Sequence, residues 1–428
     1  MLSVLQNICF CVLQYIYKQY KFEKRFFMTA YIHIGLEKTG TTTIQNFLEN
    51  NREKLLQCDF LFPSDLSSRI QVLGYFKPKI DDPYSLYRQI TTQESLLNFQ
   101  EQLKADIKSI IKNNKNKNII FSHELIQSRL TDKKEIQYFK RNLKKLGFKK
   151  IKIILYIRNQ SDLFASMCSQ SLKNGLQDDE SFLYAPGNQY IAFVCNHKQT
   201  LQWWSAVFGK NNLEVRIFDK QDFVNNDLIC DFLSILGLQA EDFVITEEKN
   251  LSLSVFGAEL CRAINRDFPW FINEKFNEQR LIITGLLNRH YSYCKGNFME
   301  DEKFMPKKEV YLSYYDYYKN DNESVRSEYF THKQTLFNEI DISNYKENYE
   351  LPQSYQNIIN KVALSIIDLA KRIHKPQQPT HVISHNEKKT KKKRLKRFVE
   401  RLFFLIMCLI VIAYFFDVID LKYIDFKF

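Results

Sequence analysis

Recognisable metal patterns are absent from this 428-residue chain: it has no HExxH stretch, no EF-hand loop and no DxD-type grouping, so no bound metal is expected. Its 9 cysteines are scattered, and the closest pair, Cys9 and Cys11, has neither CxxC nor zinc-ligand spacing. An odd count at this length argues against a disulfide framework and for reduced, mostly buried thiols in a reducing compartment. Glycine and proline are scarce, with 11 and 9 residues, which excludes collagen-like repetition and wholesale disorder. No internal repeat is present, which leaves out a repeat array. What is there, 45% hydrophobic and 26% charged residues, is the composition of an ordinary folded protein. The length leaves room for a large core with appendages, or for two domains.

The formal net charge is +12, but +7 of it lies between Glu387 and Arg401. A local basic run beside a hydrophobic one is not a nucleic-acid-binding face. Single-strand binding would also want interleaved aromatics, and that run holds only Phe398. No nucleic-acid partner is expected.

The hydrophobic run itself, 402–419, is 18 residues long with one acid, Asp417. As a helix it would span about 27 Å, close to a hydrocarbon core of about 30 Å. Basic residues precede it and acids follow it, so it predicts a C-terminal transmembrane anchor with the body cytoplasmic and a tail, 420–428, outside. Residues 375–401 read as a basic linker. The first segment, 1–28, is apolar but lacks a basic n-region and a cleavage site. It reads as a membrane-surface segment or as an over-long start before Met28.

Between the ends, strand and helix patterns alternate. Apolar runs at Ala30–Ile34, Asn118–Phe121, Ile151–Ile157 and Leu213–Phe218 have strand length. Helical stretches are expected at 41–55, 162–172, 199–208 and 228–236. Strands without polar alternation, separated by helices, predict an α/β fold with a central parallel sheet covered on both faces. After Asn250 the strand signals fade into helical patterns. Apolar residues from Ile358 to Ile373 repeat at helical spacing, giving an amphipathic extension over 338–374.

The informative stretch is Tyr31–Gln45, YIHIGLEKTGTTTIQ. A strand ends, a glycine-punctuated loop follows, and hydroxyl residues open a helix whose N-terminus is a ready anion site. The spacing from Gly35 to Gly40 to Thr42 equals that of a Walker A loop, yet Thr41 stands at the lysine position and Lys38 sits inside the loop. The loop therefore indicates a phosphate more strongly than a triphosphate.

Glu37–Thr43 resembles the 5′-phosphosulfate loop of sulfotransferases that use 3′-phosphoadenosine 5′-phosphosulfate (PAPS), in a form closest to the bacterial, glycan-type branch. The resemblance implies a P-loop-like sulfotransferase fold in which Lys38 contacts the 5′-phosphate and stabilises the leaving group. Gly40, Thr41 and Thr42 would supply donors, flanked by Thr39 and Thr43. Thr43 departs from the Trp found there in enzymes acting on small molecules. The family's second motif, for the 3′-phosphate, resembles Ile154–Ser166, with Arg158, Asp162 and Ser166 at its spacings. Arg158 would bind that phosphate as a fork of charged donors and Ser166 would add a hydroxyl. The resemblance runs from about Thr29 to Phe337 and defines a domain of 29–337.

For sulfuryl transfer the base should leave the carboxyl end of a neighbouring strand. Ser122–His123–Glu124 follows Asn118–Phe121 and fits. Histidine is the base in the small-molecule branch of the resembled family and glutamate in some glycan branches, so His123 is the expected base and Glu124 its competitor. A membrane-linked glycan or glycolipid is the expected acceptor. A P-loop phosphotransferase and a non-catalytic tail-anchored adaptor are the other readings. His33 is expected to be a core histidine, and Trp203 and Trp204 to pack a helix face.

Overall fold

The computed structural model describes residues 28–80, 82–175, 186–187, 189–245, 253–269, 303–343, 345–346 and 353–373, with a few isolated positions between 271 and 284. The expected span at 402–419, the linker, the tail and most of the first segment lie outside the described residues. None of the described helices is long and apolar enough to cross a membrane.

The chain divides into two compact units, 1–157 with 199–246, and 158–198 with 247–428. The first holds a five-stranded sheet of β1 (Thr29–His33), β2 (Phe60–Leu61), β3 (Asn118–Ser122), β4 (Lys150–Ile157) and β5 (Leu213–Ile217). Their order is β2-β3-β1-β4-β5, and every pairing is parallel. This is the expected parallel sheet. β1 lies at its centre, with Ile32 opposite Phe121 on one side and Ile153 on the other. Ile32, Phe121 and Ile153 are all fully buried, as strands covered on both faces require.

Helices of this unit are α1 (Thr41–Asn50), α2 (Gln93–Asn113), α3 (Lys133–Lys145) and α6 (Leu228–Leu236). Ile44, Phe47 and Leu48 of α1 join Ile229, Phe232 and Leu233 of α6 and Ile154 and Tyr156 of β4 in one core. The single helix expected over 41–55 is interrupted at Asn51. That side chain donates to Phe47 O at 3.0 Å and Val244 O at 2.9 Å, and accepts from Val244 N at 2.9 Å. Asn51 is therefore a buried staple between distant segments, and a second short helix, Arg52–Gln57, starts beyond it. α2 is a helix the apolar pattern did not announce. It starts with a reciprocal Thr92–Ser95 capping box.

The second unit is mainly helical: α4 (Gln160–Asn174), α7 (Val255–Asp267), α8 (Lys308–Tyr329) and α9 (Gln353–Ile373). α5 (His197–Phe208) begins at the boundary between the units. Leu163, Phe164 and Leu172 of α4 pack with Tyr314 and Tyr318 of α8 and with Ile359, Val362 and Ile366 of α9 in a separate core. The last three are the periodic residues that predicted an amphipathic helix here.

Candidate active site

The loop between β1 and α1 is built on three left-handed residues, Gly35 (φ 87°), Lys38 (φ 63°) and Gly40 (φ 75°). Gly40 stands at the N-cap of α1 and, as a glycine, offers no capping side chain. Thr39 Oγ1 donates to Leu36 O at 2.7 Å and Thr41 Oγ1 to the same oxygen at 3.4 Å. These two buried hydroxyls thus bend the loop back on itself. Thr42 is exposed and Thr43 half-buried on the first turn of α1. A non-glycine residue held at positive φ stores roughly 1–3 kcal/mol of strain, which persists only where the surroundings fix it. Here the strained residue is Lys38, the one cation of the loop.

Gly35 has a second role. A Cβ on it would lie 2.9 Å from Glu124 Cα and 3.1 Å from Glu124 O, so the β1–α1 loop and the chain after β3 touch backbone to backbone there. His123 N donates to His33 O at 3.1 Å and Gln127 N to Ile34 O at 3.2 Å, which carries the parallel register past the end of the strands. His123 and Glu124 therefore leave β3 beside the loop. His123 Nδ1 and Glu124 Oε2 are buried without a hydrogen-bond partner among the described residues. Burial pushes the His123 imidazole below the ordinary histidine range; the Glu124 carboxylate raises it in part, Arg129 lowers it and Glu37 raises it. The ring of Tyr84 lies edge-on to that of His123, 6.4 Å between centroids.

Arg129 was not singled out by the sequence. Its Nε is 2.8 Å from Asp82 Oδ1, and its Nη1 is 3.7 Å from Glu37 Oε1 in the loop. Asp82 in turn caps the short helix Pro83–Tyr87 that carries Tyr84. No local spacing links these three residues, because the sheet brings them together from separate loops.

Arg158 and Ser166 belong to the helical unit. Arg158 directly follows β4, and Ser166 lies half-buried on α4. Around Arg158 the chain is held closely. His197, which carried no partner pattern in the sequence, sets its Nε2 2.6 Å from Arg158 O. Burial pushes that imidazole down to about 4, so it is neutral at ordinary pH. A carbonyl oxygen only accepts, so the proton is on Nε2 and Nε2 donates.

His33 is a core histidine, fully buried with Nδ1 2.8 Å from Ser122 Oγ. Trp204 is also core, stacked on Phe208 with centroids 5.5 Å apart and edge-on to Phe139. Among the described residues no group of three or more His, Cys, Asp or Glu is arranged to hold a metal ion.

Residues 29–212 match the family model of the sulfotransferase domain. Over 232 residues the chain is 24% identical to an uncharacterized protein of Archaeoglobus fulgidus, a match covering 53% of this chain and 60% of that protein. The chain thus spans less than two thirds of the length of that curated relative. A solved sulfotransferase from Alicyclobacillus acidocaldarius, 14% identical, matches over 51% of this chain and 85% of its own, with a TM-score of 0.31. That structural likeness is too loose to carry an argument.

Proposed function

We propose that this chain, whose residues 29–212 match the sulfotransferase domain, moves the sulfuryl group of PAPS onto a hydroxyl of a glycan or glycolipid. The observation that carries this reading is the loop itself: a helix with no side-chain N-cap, opened by a left-handed glycine and preceded by a strained lysine. That cradle fits an anionic phosphate without a metal or a Walker lysine.

When bound, PAPS supplies an activated sulfuryl group on its 5′-phosphate. Lys38 and the first-turn N–H groups of α1 place fixed positive charge where the leaving phosphate gains negative charge, which favours the transition state over the ground state. His123 takes the acceptor proton. Its imidazole is already neutral, since burial disfavours the cation, and its Nδ1 has no protein partner. Glu124, with an unpaired buried oxygen next to the loop, is the competing base. Arg158 and Ser166 hold the 3′-phosphate, the part of the donor that does not react.

The glycan-type acceptor rests on the form of the loop and on the proposed anchor at 402–419, which would keep the body at the cytoplasmic face of a membrane. Truncation after Thr390 is expected to release active protein into the soluble fraction; sedimentation with membranes after truncation would assign the attachment elsewhere. One titration decides the activity class. Binding of adenosine 3′,5′-bisphosphate but not of ATP with magnesium is expected. The reverse would make the protein a phosphotransferase, and binding of neither would make it an adaptor. Incubation with labelled PAPS and membrane extract then identifies the acceptor.

A further inference from the structure

The turn that carries Arg158 is fixed residue by residue. His197 donates to Arg158 O at 2.6 Å. Asn159 caps α4 by accepting from Ser161 N at 3.0 Å. Gln160 and Asn322 of α8 form a reciprocal amide pair, 2.7 Å one way and 3.0 Å the other. Ser161 Oγ donates to Tyr311 O at 2.6 Å, and Tyr311 Oη donates to Asp162 Oδ1 at 2.8 Å. His197, Gln160 and Ser161 are at most 1% exposed, so these bonds are shielded from competing water.

Three features go beyond ordinary helix capping. A single N-cap side chain would have sufficed to start α4, and Asn159 already supplies it. The partners of the neighbouring residues come instead from α8, which lies outside the matched segment 29–212. Asn322 also sits on the buried stripe of α8 with Tyr311, Tyr314, Tyr318 and Val325, where an apolar residue would pack at less desolvation cost. Finally, His197 is kept neutral, its Nδ1 has no partner among the described residues, and its Nε2 bonds Arg158 O.

We propose that His197 and Asn322 are positioning residues: they clasp the 158–162 turn so that Arg158 is preorganised to receive the 3′-phosphate of the donor. The inference rests on the assignment of that phosphate to Arg158. A preset backbone removes the ordering cost that a mobile arginine would meet on binding. His197 acts on the backbone carbonyl of Arg158 and Asn322 on the side chain of Gln160, so their effect is expected to be confined to the phosphate that Arg158 receives.

The test is calorimetric titration of the full chain with two ligands, adenosine 3′,5′-bisphosphate and adenosine 5′-phosphate, which lacks the 3′-phosphate. The unmutated protein should prefer the bisphosphate. His197→Asn, too short to reach Arg158 O, should lose about tenfold of that preference while its affinity for adenosine 5′-phosphate stays put. His197→Gln, whose amide nitrogen can take the place of Nε2, should restore most of it. Asn322→Ala should reproduce the loss with the His197 bond intact, and it keeps the test decisive if His197→Asn fails to fold. An unchanged preference in the folded variants overturns the proposal, as does a parallel loss for both ligands, which marks a merely structural role. If the unmutated protein shows no preference, the assignment of Arg158 itself fails, and the clasp falls with it.

Discussion

In the sheet unit, two polar atoms beside the β1–α1 loop have no partner among the described residues. His123 Nδ1 and Glu124 Oε2 are buried and unpaired, and α1 starts at a glycine with no side-chain cap. In the helical unit, the turn at 158–162 has a partner for every residue. An unpaired buried polar atom costs roughly 1–3 kcal/mol, so a protein keeps several together where a ligand completes them. A fully paired turn is the opposite case, rigid before any ligand arrives. Under the proposed function the difference reads as a division of labour: the groups assigned to the reaction are the unpaired ones, and the group assigned to holding the donor is on the paired turn. The largest effect on turnover is therefore expected from the first unit, and the effects of the second should appear in binding.

Lys38→Ala should break this comparison most severely. One lost transition-state donor is worth about 3–4 kcal/mol, or a fall in turnover of about 10²–10³. Affinity for adenosine 3′,5′-bisphosphate, measured by titration, should fall much less. Near-normal turnover would remove Lys38 from the mechanism and with it the reactive role of the sheet unit.

The base comes next. His123→Gln should lower turnover by about 10²–10⁴, the usual contribution of general base catalysis, with bisphosphate binding intact. Glu124→Gln should leave turnover within a few-fold of normal. If only the Glu124 variant loses turnover while still binding, the roles of the two residues are exchanged. The pH profile sharpens the choice, because burial lowers the His123 pKa. With His123 as base, the acid limb of the unmutated enzyme falls below the ordinary histidine value of about 6.5, and His123→Gln abolishes that limb.

These residues were legible because their signals are local. A strand, a glycine loop and a helix start occupy Tyr31–Gln45, and β1, β3 and β4 read directly as apolar runs because both sheet faces are covered. α2 was not legible, since one of its four buried positions is Gln100, whose amide bonds Val72 O and Tyr75 O at 2.7 Å each. That polar residue dilutes the apolar stripe a sequence pattern depends on. The break at Asn51 depends on Val244, and the clasp on Arg158 depends on His197 and Asn322, so no window around any one of them contains the reason. Arg129 is the same case, meaningful only once the fold sets Asp82 and Glu37 beside it.

A smaller effect tests the close approach of loop and base. Gly35→Ala places a Cβ at positive φ against the Glu124 backbone, and neither backbone can yield as a flexible side chain would. A loss of roughly 2–4 kcal/mol of stability is expected, read as a lower denaturant midpoint, together with reduced turnover. A midpoint equal to that of the unmutated protein would show that loop and base are not rigidly coupled.

The smallest effect at neutral pH compares one buried histidine from each unit. Burial lowers His33 in the sheet unit to about 3 and His197 in the helical unit to about 4, against about 6.5 in the unfolded chain. Both pKa values are depressed on folding, so the unfolded state binds the extra protons. Each histidine therefore contributes stability that is fully present above about pH 6.5 and is lost as the pH falls toward its folded value. Between about pH 6 and 5 the two together should add nearly two protons to the slope of unfolding free energy against pH. His197→Gln removes one titrating group and should flatten that slope by about one proton, with little change at pH 7.5. Urea titrations at pH 7.5, 6 and 5 measure it. An unchanged slope would mean that the helical unit lets its histidine protonate while folded. The bond to Arg158 O would survive that, because Nε2 donates in both states, but a charged ring would then stand where a neutral one fixes the turn.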